Sequence, residues 1–558
     1  MSKKIFLAAV LITWLAACAP NKPNPILTLA PGLMMENPDA TATFTPFQPE
    51  GAGTMDITAT TSQPALDTAP EEMVDLPPSA PPSVIEASER FGFIATTESE
   101  TAVARLVETR ESASEHFFSA VYAVTAPFPT VQDSVTFLDI QNAWIGVPSG
   151  PFAGIPLLMD ESTFEAMRFL MGEPVSGAVR VLPSDQLLDT AWAERPSWAV
   201  IPFESLNPRW KVLEVDGQSP LRKEFDPSTY PLVVGFACEG ACGFLPSSNR
   251  DASKLTTLIM TGTTALVRAT AYRMEKNGLT YPAQDIGPIL RDADILHITN
   301  EISFADDCPY PDPGGDNLQF CSDPKYIALL EYIGTDVVEL TGNHVNDWGS
   351  PWLEKSIGMY HDRGWGVFGG GVNLSEATKP YLLTSNENKL AFVGCNLPGP
   401  ESAWAKESSP GALPCGDYSW LYDEISSLRQ QGYLPIVTVQ YNEYYQLSPS
   451  EAQARDFKKI AGTGAAIVSG SQSHFPQGFA FDGDAYIHYG PGNLFFDQMD
   501  YPVVGTRRAA MDHLTIYDGR IIGTELITTM LEDWSRPRLM TPEERRQFLM
   551  ELFSASGW

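Results

Sequence analysis

Asp336-Val337-Val338-Glu339-Leu340, running straight into Thr341-Gly342-Asn343-His344-Val345-Asn346-Asp347-Trp348-Gly349, is the stretch on which the fold turns. A short β-branched run closed by glycine predicts a buried strand ending in a turn, which is where an α/β sheet offers polar side chains to a ligand. Here the strand's end delivers Asn343 and His344 together. An amide oxygen beside an imidazole suits a metallohydrolase, with the Asn on a hard or borderline cation and the His on metal or leaving group. The same residues also make a plain turn carrying an incidental His, so the rest of the chain has to decide.

Working outward, the pattern repeats. The run 255–260 breaks at Thr261-Gly262-Thr263, and the run 294–298 breaks at Thr299-Asn300-Glu301. Later runs are 390–393, 435–439 ending at Gln440, and 465–468 ending at Gly470-Ser471-Gln472-Ser473-His474. Between them Asp323 and Pro324 start a helix with Tyr326, Leu329, Leu330 and Ile333 inward, stopped by Gly334, as N-cap, N1 and C-terminal glycine preferences require. Helices are predicted over 417–431 and 448–461. Polar residues at the ends of successive strands are how an open α/β sheet builds one site from distant sequence.

In order and spacing these motifs resemble the CapA-type family, named for poly-γ-glutamate capsule synthesis. That resemblance implies a calcineurin-like metallophosphatase fold over residues 254–525 and a metal-assisted site. It assigns Glu301, Asn343 and His474 as metal ligands, His344 and Asp347 as catalytic, and Asn300, Glu443 and Asn493 as pocket residues. The closing Gly490-Pro491-Gly492-Asn493-Leu494-Phe495-Phe496-Asp497 follows the family's tail. Three positions depart from it: Thr263 stands for the first Asp, Gln440 for the His before the aromatic, and Gln472-Ser473-His474 for His-Pro-His. Losing an Asp and two His removes the strongest ligands of a two-metal clamp, and neutral Thr and Gln oxygens suit at best one weakly held hard cation. Two functions follow as expectations. One is a hydrolase holding a single divalent metal ion; the other is a binding or scaffolding protein that keeps the fold without the chemistry.

At the other end, Lys3-Lys4, an apolar stretch and Leu15-Ala16-Ala17-Cys18 read as a secretory signal over residues 1–18. The sequence around Cys18 resembles a bacterial lipobox. Acylation there would tie the chain to a membrane outside the cytoplasm, each buried methylene adding roughly 0.8 kcal/mol. Residues 19–88 are crowded with Pro, Thr, Ala and Ser and predict a disordered tether.

The 558 residues, less signal and tether, leave room for two or three domains, and 43% hydrophobic content is ample for their cores. A formal charge of -33 without basic clusters excludes nucleic acid as partner, leaving an extracellular polymer or an envelope protein. Six cysteines beyond Cys18 fall into local couples, Cys238 with Cys242, Cys308 with Cys321 and Cys395 with Cys415. An even count in an exported chain argues for disulfides, with neighbour pairing the simplest of several connectivities.

Residues 89–245 predict a first α/β domain. It has helices over 103–110, 114–124 and 161–170, and strands over 178–182 and 198–201. The segment from Trp198 to Glu204 with Pro208 to Leu213 is similar to a lobe of a periplasmic solute-binding protein, without naming a ligand. The expected architecture is therefore a solute-binding-like α/β domain followed by a layered metallophosphatase-like α/β domain. Residues 526–558 close the chain as a helical tail with Phe548, Leu549, Leu552 and Phe553 on its apolar side.

Overall fold

The computed structural model describes residues 72–96, 100–110, 116–315 and 317–558. The expected signal, Cys18 and most of the tether lie outside the described residues. Among the described residues no helix is long and apolar enough to cross a membrane.

Folded structure begins earlier than the composition predicts. The strand Met73–Asp75 pairs with Ile94–Thr96 and Ala104–Thr109, and Pro82 opens a helix, Pro82–Arg90, whose Val84 is fully buried. These three strands edge a ten-stranded mixed sheet that also holds Phe117–Pro127, Trp198–Pro202, Trp210–Val215 and Val233–Gly240. Two expectations fail here, because 104–109 and 117–127 are strands rather than helices. Ala120 to Pro127 is buried on both faces, so its unbroken apolar run carries no alternation to mark it as β. The expected helix at 161–170 is present as Glu161–Met171, capped by Asp160.

The second region stacks two sheets. In the first, parallel strands Gly366–Phe368, Val337–Glu339, Ile295–Asn300 and Leu255–Thr264 lie side by side. The sheet then continues antiparallel through Arg508–Tyr517, Arg520–Glu532 and Arg536–Leu539. The second sheet runs Asn388–Asn396, Leu434–Gln440, Ile467–Ser471 and Ala485–Pro491 in parallel. Leu258, Met260, Ile295 and Val337 of one sheet and Phe392, Ile436, Ile467 and Tyr486 of the other share one buried cluster, which is how a two-layer domain hides both apolar faces. The first strand does not break at Thr261 but continues to Thr264 through a register shift. Gly262 permits this, since a Cβ there would stand 2.1 Å from the Gly492 carbonyl oxygen, to whose residue the chain is pinned by a Thr263 N–H bond of 3.0 Å.

The helices Ser419–Gln430 and Glu451–Gly462 form as predicted, the latter capped by Ser450. The tail differs from expectation: 520–532 and 536–539 are strands, and only Pro542–Ala555 is helical, opened by a Thr541–Glu544 capping box. Its Phe548, Leu549, Leu552 and Phe553 are buried in the shared cluster. Disulfides join Cys238–Cys242, Cys308–Cys321 and Cys395–Cys415, the neighbour pairing expected. The two regions interlock. Phe128 of the first sits edge-on among Phe479, Phe481, Tyr486, Phe553 and Trp558 at ring distances of 5.4, 5.4, 5.8, 5.9 and 5.8 Å.

Candidate functional site

Parallel strands of both sheets end at one place, and their last residues turn polar. Glu301 follows Ile295–Asn300, and Asn343 and His344 follow Val337–Glu339; Gln440 ends Leu434–Gln440, and Ser471 ends Ile467–Ser471. Gln440 joins them. Its amide nitrogen donates to Asn343 Oδ1 at 2.9 Å and to Glu301 Oε1 at 3.3 Å, while its Oε1 accepts from Ser471 at 3.3 Å. Gly342 lets the turn lie against Glu301, since a Cβ on it would stand 2.8 Å from the Glu301 Cα.

A second cluster lies just beneath. Glu339, 1% exposed, accepts hydrogen bonds from Thr299 (3.0 Å), Ser471 (3.0 Å) and Thr341, and its Oε2 is 3.1 Å from His297 Nε2. The His297 contact is close without being an aligned hydrogen bond. Burial alone would lift the Glu339 carboxyl, but His297 and the hydroxyl donors outweigh it and hold the pKa below the ordinary glutamate value. Glu301 goes the other way. Burial raises it, opposed by His474, His344 and the Gln440 amide. Two neighbouring carboxyls are thus pushed apart by their surroundings.

Toward solvent, His344 Nδ1 is 2.7 Å from Asp347 Oδ2, and Asp347 also accepts the Phe320 N–H at 3.0 Å. Burial works against the His344 imidazolium, yet the Asp347 hydrogen bond and the charges of Glu301, Asp347 and Glu443 raise its pKa above the usual value. The Phe320 ring packs 4.7 Å from His344, brought there by the Cys308–Cys321 staple of the insertion. On the far wall His474 Nδ1 is 2.9 Å from Asn493 Oδ1, and its Nε2 is 3.9 Å from Glu443. Asn493 in turn donates to the carbonyls of His474 and Thr506, both at 3.2 Å.

Of the residues singled out in the sequence, Glu301, Asn343 and Gln440 are bonded to one another. His344 with Asp347, and His474 with Asn493 and Glu443, flank them. Thr263 and Gln472 are buried, and among the described residues Thr263 Oγ1 and Gln472 Oε1 have no hydrogen-bond partner. Asn300 aims its amide nitrogen at Ile302 O (2.9 Å) and Tyr360 Oη (2.6 Å), so that nitrogen serves the fold. Sequence reasoning missed Glu339, Thr299, Thr341 and Ser471. A carboxylate set between Val338 and Leu340 in a buried strand was the available signal, because such a charge must have partners.

The metal that the family resemblance implies does not fit the residues present. Position 440, which the resemblance gives to a metal-binding His, holds a neutral amide that donates to Asn343 Oδ1 and Glu301 Oε1 instead. Position 263 offers a hydroxyl in place of a carboxylate. Among the described residues no group of three or more His, Cys, Asp or Glu side chains has metal-holding geometry.

Residues 257–498 match the family model of the bacterial capsule synthesis protein PGA_cap. The chain is 23% identical over 288 residues to the capsule biosynthesis protein CapA of Bacillus anthracis, covering 50% of this chain and 68% of that one. It is 22% identical over 227 residues to the PGA biosynthesis protein CapA of Bacillus subtilis, covering 40% and 59%. Among solved structures it is similar to an ABC-type phosphate transport receptor from Vibrio cholerae (TM-score 0.26, 10% identity, 31% of this chain and 88% of that one). It is also similar to the NAD nucleotidase of Haemophilus influenzae (TM-score 0.30, 10% identity, 54% and 56%). The parallel strands that converge on the Asn343-His344 turn lie within residues 257–498, the region of this chain that is similar to the PGA_cap family of bacterial capsule synthesis proteins.

Proposed function

We propose that this is an exported, lipid-anchored component of capsule synthesis that binds an envelope partner or polymer through the CapA-like pocket rather than hydrolysing it with metal. The observation that carries the reading is the Gln440 amide, which donates to Asn343 and Glu301, the oxygens that the resemblance gives to a cation. Three disulfides agree with an oxidising compartment outside the cytoplasm, and anchoring would come from the lipid on Cys18. Asp347 and Glu443 beside the site, on a chain of net charge -33, disfavour a free polyanion. A protein of the capsule machinery is therefore the better matched partner.

The test is calorimetric titration with Mn2+ and Zn2+ of the wild type and of Gln440→His, which restores an imidazole. The expected result is no stoichiometric binding by the wild type and measurable binding by the variant. Stoichiometric metal on the wild type that disappears in Asn343→Ala would overturn the proposal.

A second reading rests on the His344–Asp347 pair at 2.7 Å, an arrangement suited to acid–base catalysis without metal. Under it, turnover of an envelope polymer by the purified protein is abolished by His344→Ala. Turnover equal in that variant and the wild type removes this reading.

A further inference from the structure

A cavity of about 640 Å3 lies between the two regions, lined by none of the residues assigned to the CapA-like site. Its walls come from the strand Trp210–Val215, the hairpin of Arg508–Tyr517 with Arg520–Glu532, and the helix Pro542–Ala555. Its size and position are those of small-molecule sites, which favour domain junctions and combine an apolar lining with a few convergent polar groups. Leu526, Met540, Leu549 and Phe553 supply the apolar part.

The polar part is a charge network built across the junction. Lys211, whose side chain is 11% exposed, donates to Asp133 at 2.7 Å and to Thr130 O at 2.7 Å. Asp133 also receives Arg545 of the last helix at 2.8 and 2.9 Å. Opposite them Glu525 accepts from Arg222 at 2.9 Å, with His513 Nδ1 at 3.0 Å. Every cation lining the cavity therefore already holds a carboxylate, and Glu214 and Asp292 add further negative charge. Among the described residues that line it, no positive charge is left over for an anionic ligand. Hydrogen-bonding capacity does remain. Arg222 spends Nη1 on Glu525 and His513, while the described residues give its Nε and Nη2 no partner.

We infer that this junction cavity binds an uncharged, mostly apolar small molecule that offers a hydrogen-bond acceptor to Arg222, and that its occupant bridges the two regions. The inference is independent of the chemistry at the CapA-like pocket.

Nile red, an uncharged dye with a carbonyl acceptor, is the probe. Titrated into the full chain, it should bind saturably, one dye per chain, with blue-shifted emission. Leu539→Trp, at a wall position 46% exposed, and Ile289→Trp on the facing wall should each weaken binding about tenfold or more by filling the space, at unchanged Tm. Leu138→Trp, at a position 62% exposed and outside the cavity, should bind as the wild type does. The anionic dye anilinonaphthalene sulfonate should compete poorly. Absence of saturable Nile red binding, or binding undiminished in both folded Trp variants, overturns the site. Binding of the sulfonate as tight as that of Nile red, and competitive with it, overturns the assignment of an uncharged ligand.

Discussion

The protein holds one polar cluster buried at the strand ends and another half open to solvent at the junction, and satisfies them by different means. At the strand ends, Glu301 and Glu339 are met by amides, hydroxyls and imidazoles, all of them neutral donors or titratable ones. At the junction, Asp133 and Glu525 are met by Lys211, Arg545 and Arg222, which carry full charge. A carboxylate held by neutral dipoles depends on many bonds at once, so removing it strands every donor. A carboxylate held by cations tolerates the loss of one partner if a second remains. The first arrangement encloses its carboxylates among donors from several strands; the second ties the two regions together.

The strongest blow to the comparison would come at Glu339. Glu339→Leu leaves the Thr299, Thr341 and Ser471 hydroxyls without their common acceptor, and should cost about 3–5 kcal/mol in urea unfolding. A loss below about 1 kcal/mol would mean that water replaces the carboxylate and that the cluster is not closed.

The junction should respond to pH rather than to truncation. Burial pulls the Lys211 pKa down from 10.5 to about 8 against the pull of Asp133. Between those values the unfolded chain keeps a proton that the folded chain has released, so stability rises with pH through that window, by on the order of 2–3 kcal/mol at full extent. Lys211→Met should flatten the rise. At neutral pH it should change stability by only about 1 kcal/mol, because Asp133 is half exposed and keeps Arg545. Unfolding measured from pH 7 to 10.5 decides it.

Smaller effects sharpen the picture. Thr299→Val removes one of several donors to Glu339 and should cost about 1 kcal/mol. Asp347→Asn should lower the His344 pKa, followed by ring-proton NMR. Because the His344 pKa is raised in the folded chain, the pair's contribution is complete below the ordinary imidazole value. It fades as pH climbs through the raised one, and the Asn variant should lack that dependence.

The second region was legible because its β-branched runs stop at Gly and polar residues, so strand ends and their cargo announce themselves together. In the first region, Phe117–Pro127 hides inside the sheet with both faces covered and so lacks the alternation that names a strand. The local disulfides were readable from spacing. The hydroxyl cage around Glu339 was not, since Thr299 and Ser471 come from strands of different sheets and meet only after the layers stack. The Gln440 substitution was visible as a departure from the family, but only coordinates show its amide reaching both oxygens.

The ring of Phe128, inserted among side chains more than three hundred residues downstream, bears on how the gene can be cut. The family match stops at residue 498, yet the layer beneath it needs the strands to 539, the closing helix and this one aromatic from upstream. A fragment trimmed to the recognised boundaries would leave Phe479, Phe481 and Tyr486 facing solvent, an invitation to aggregate. Expression designs should begin before Met73 and run to the last residue.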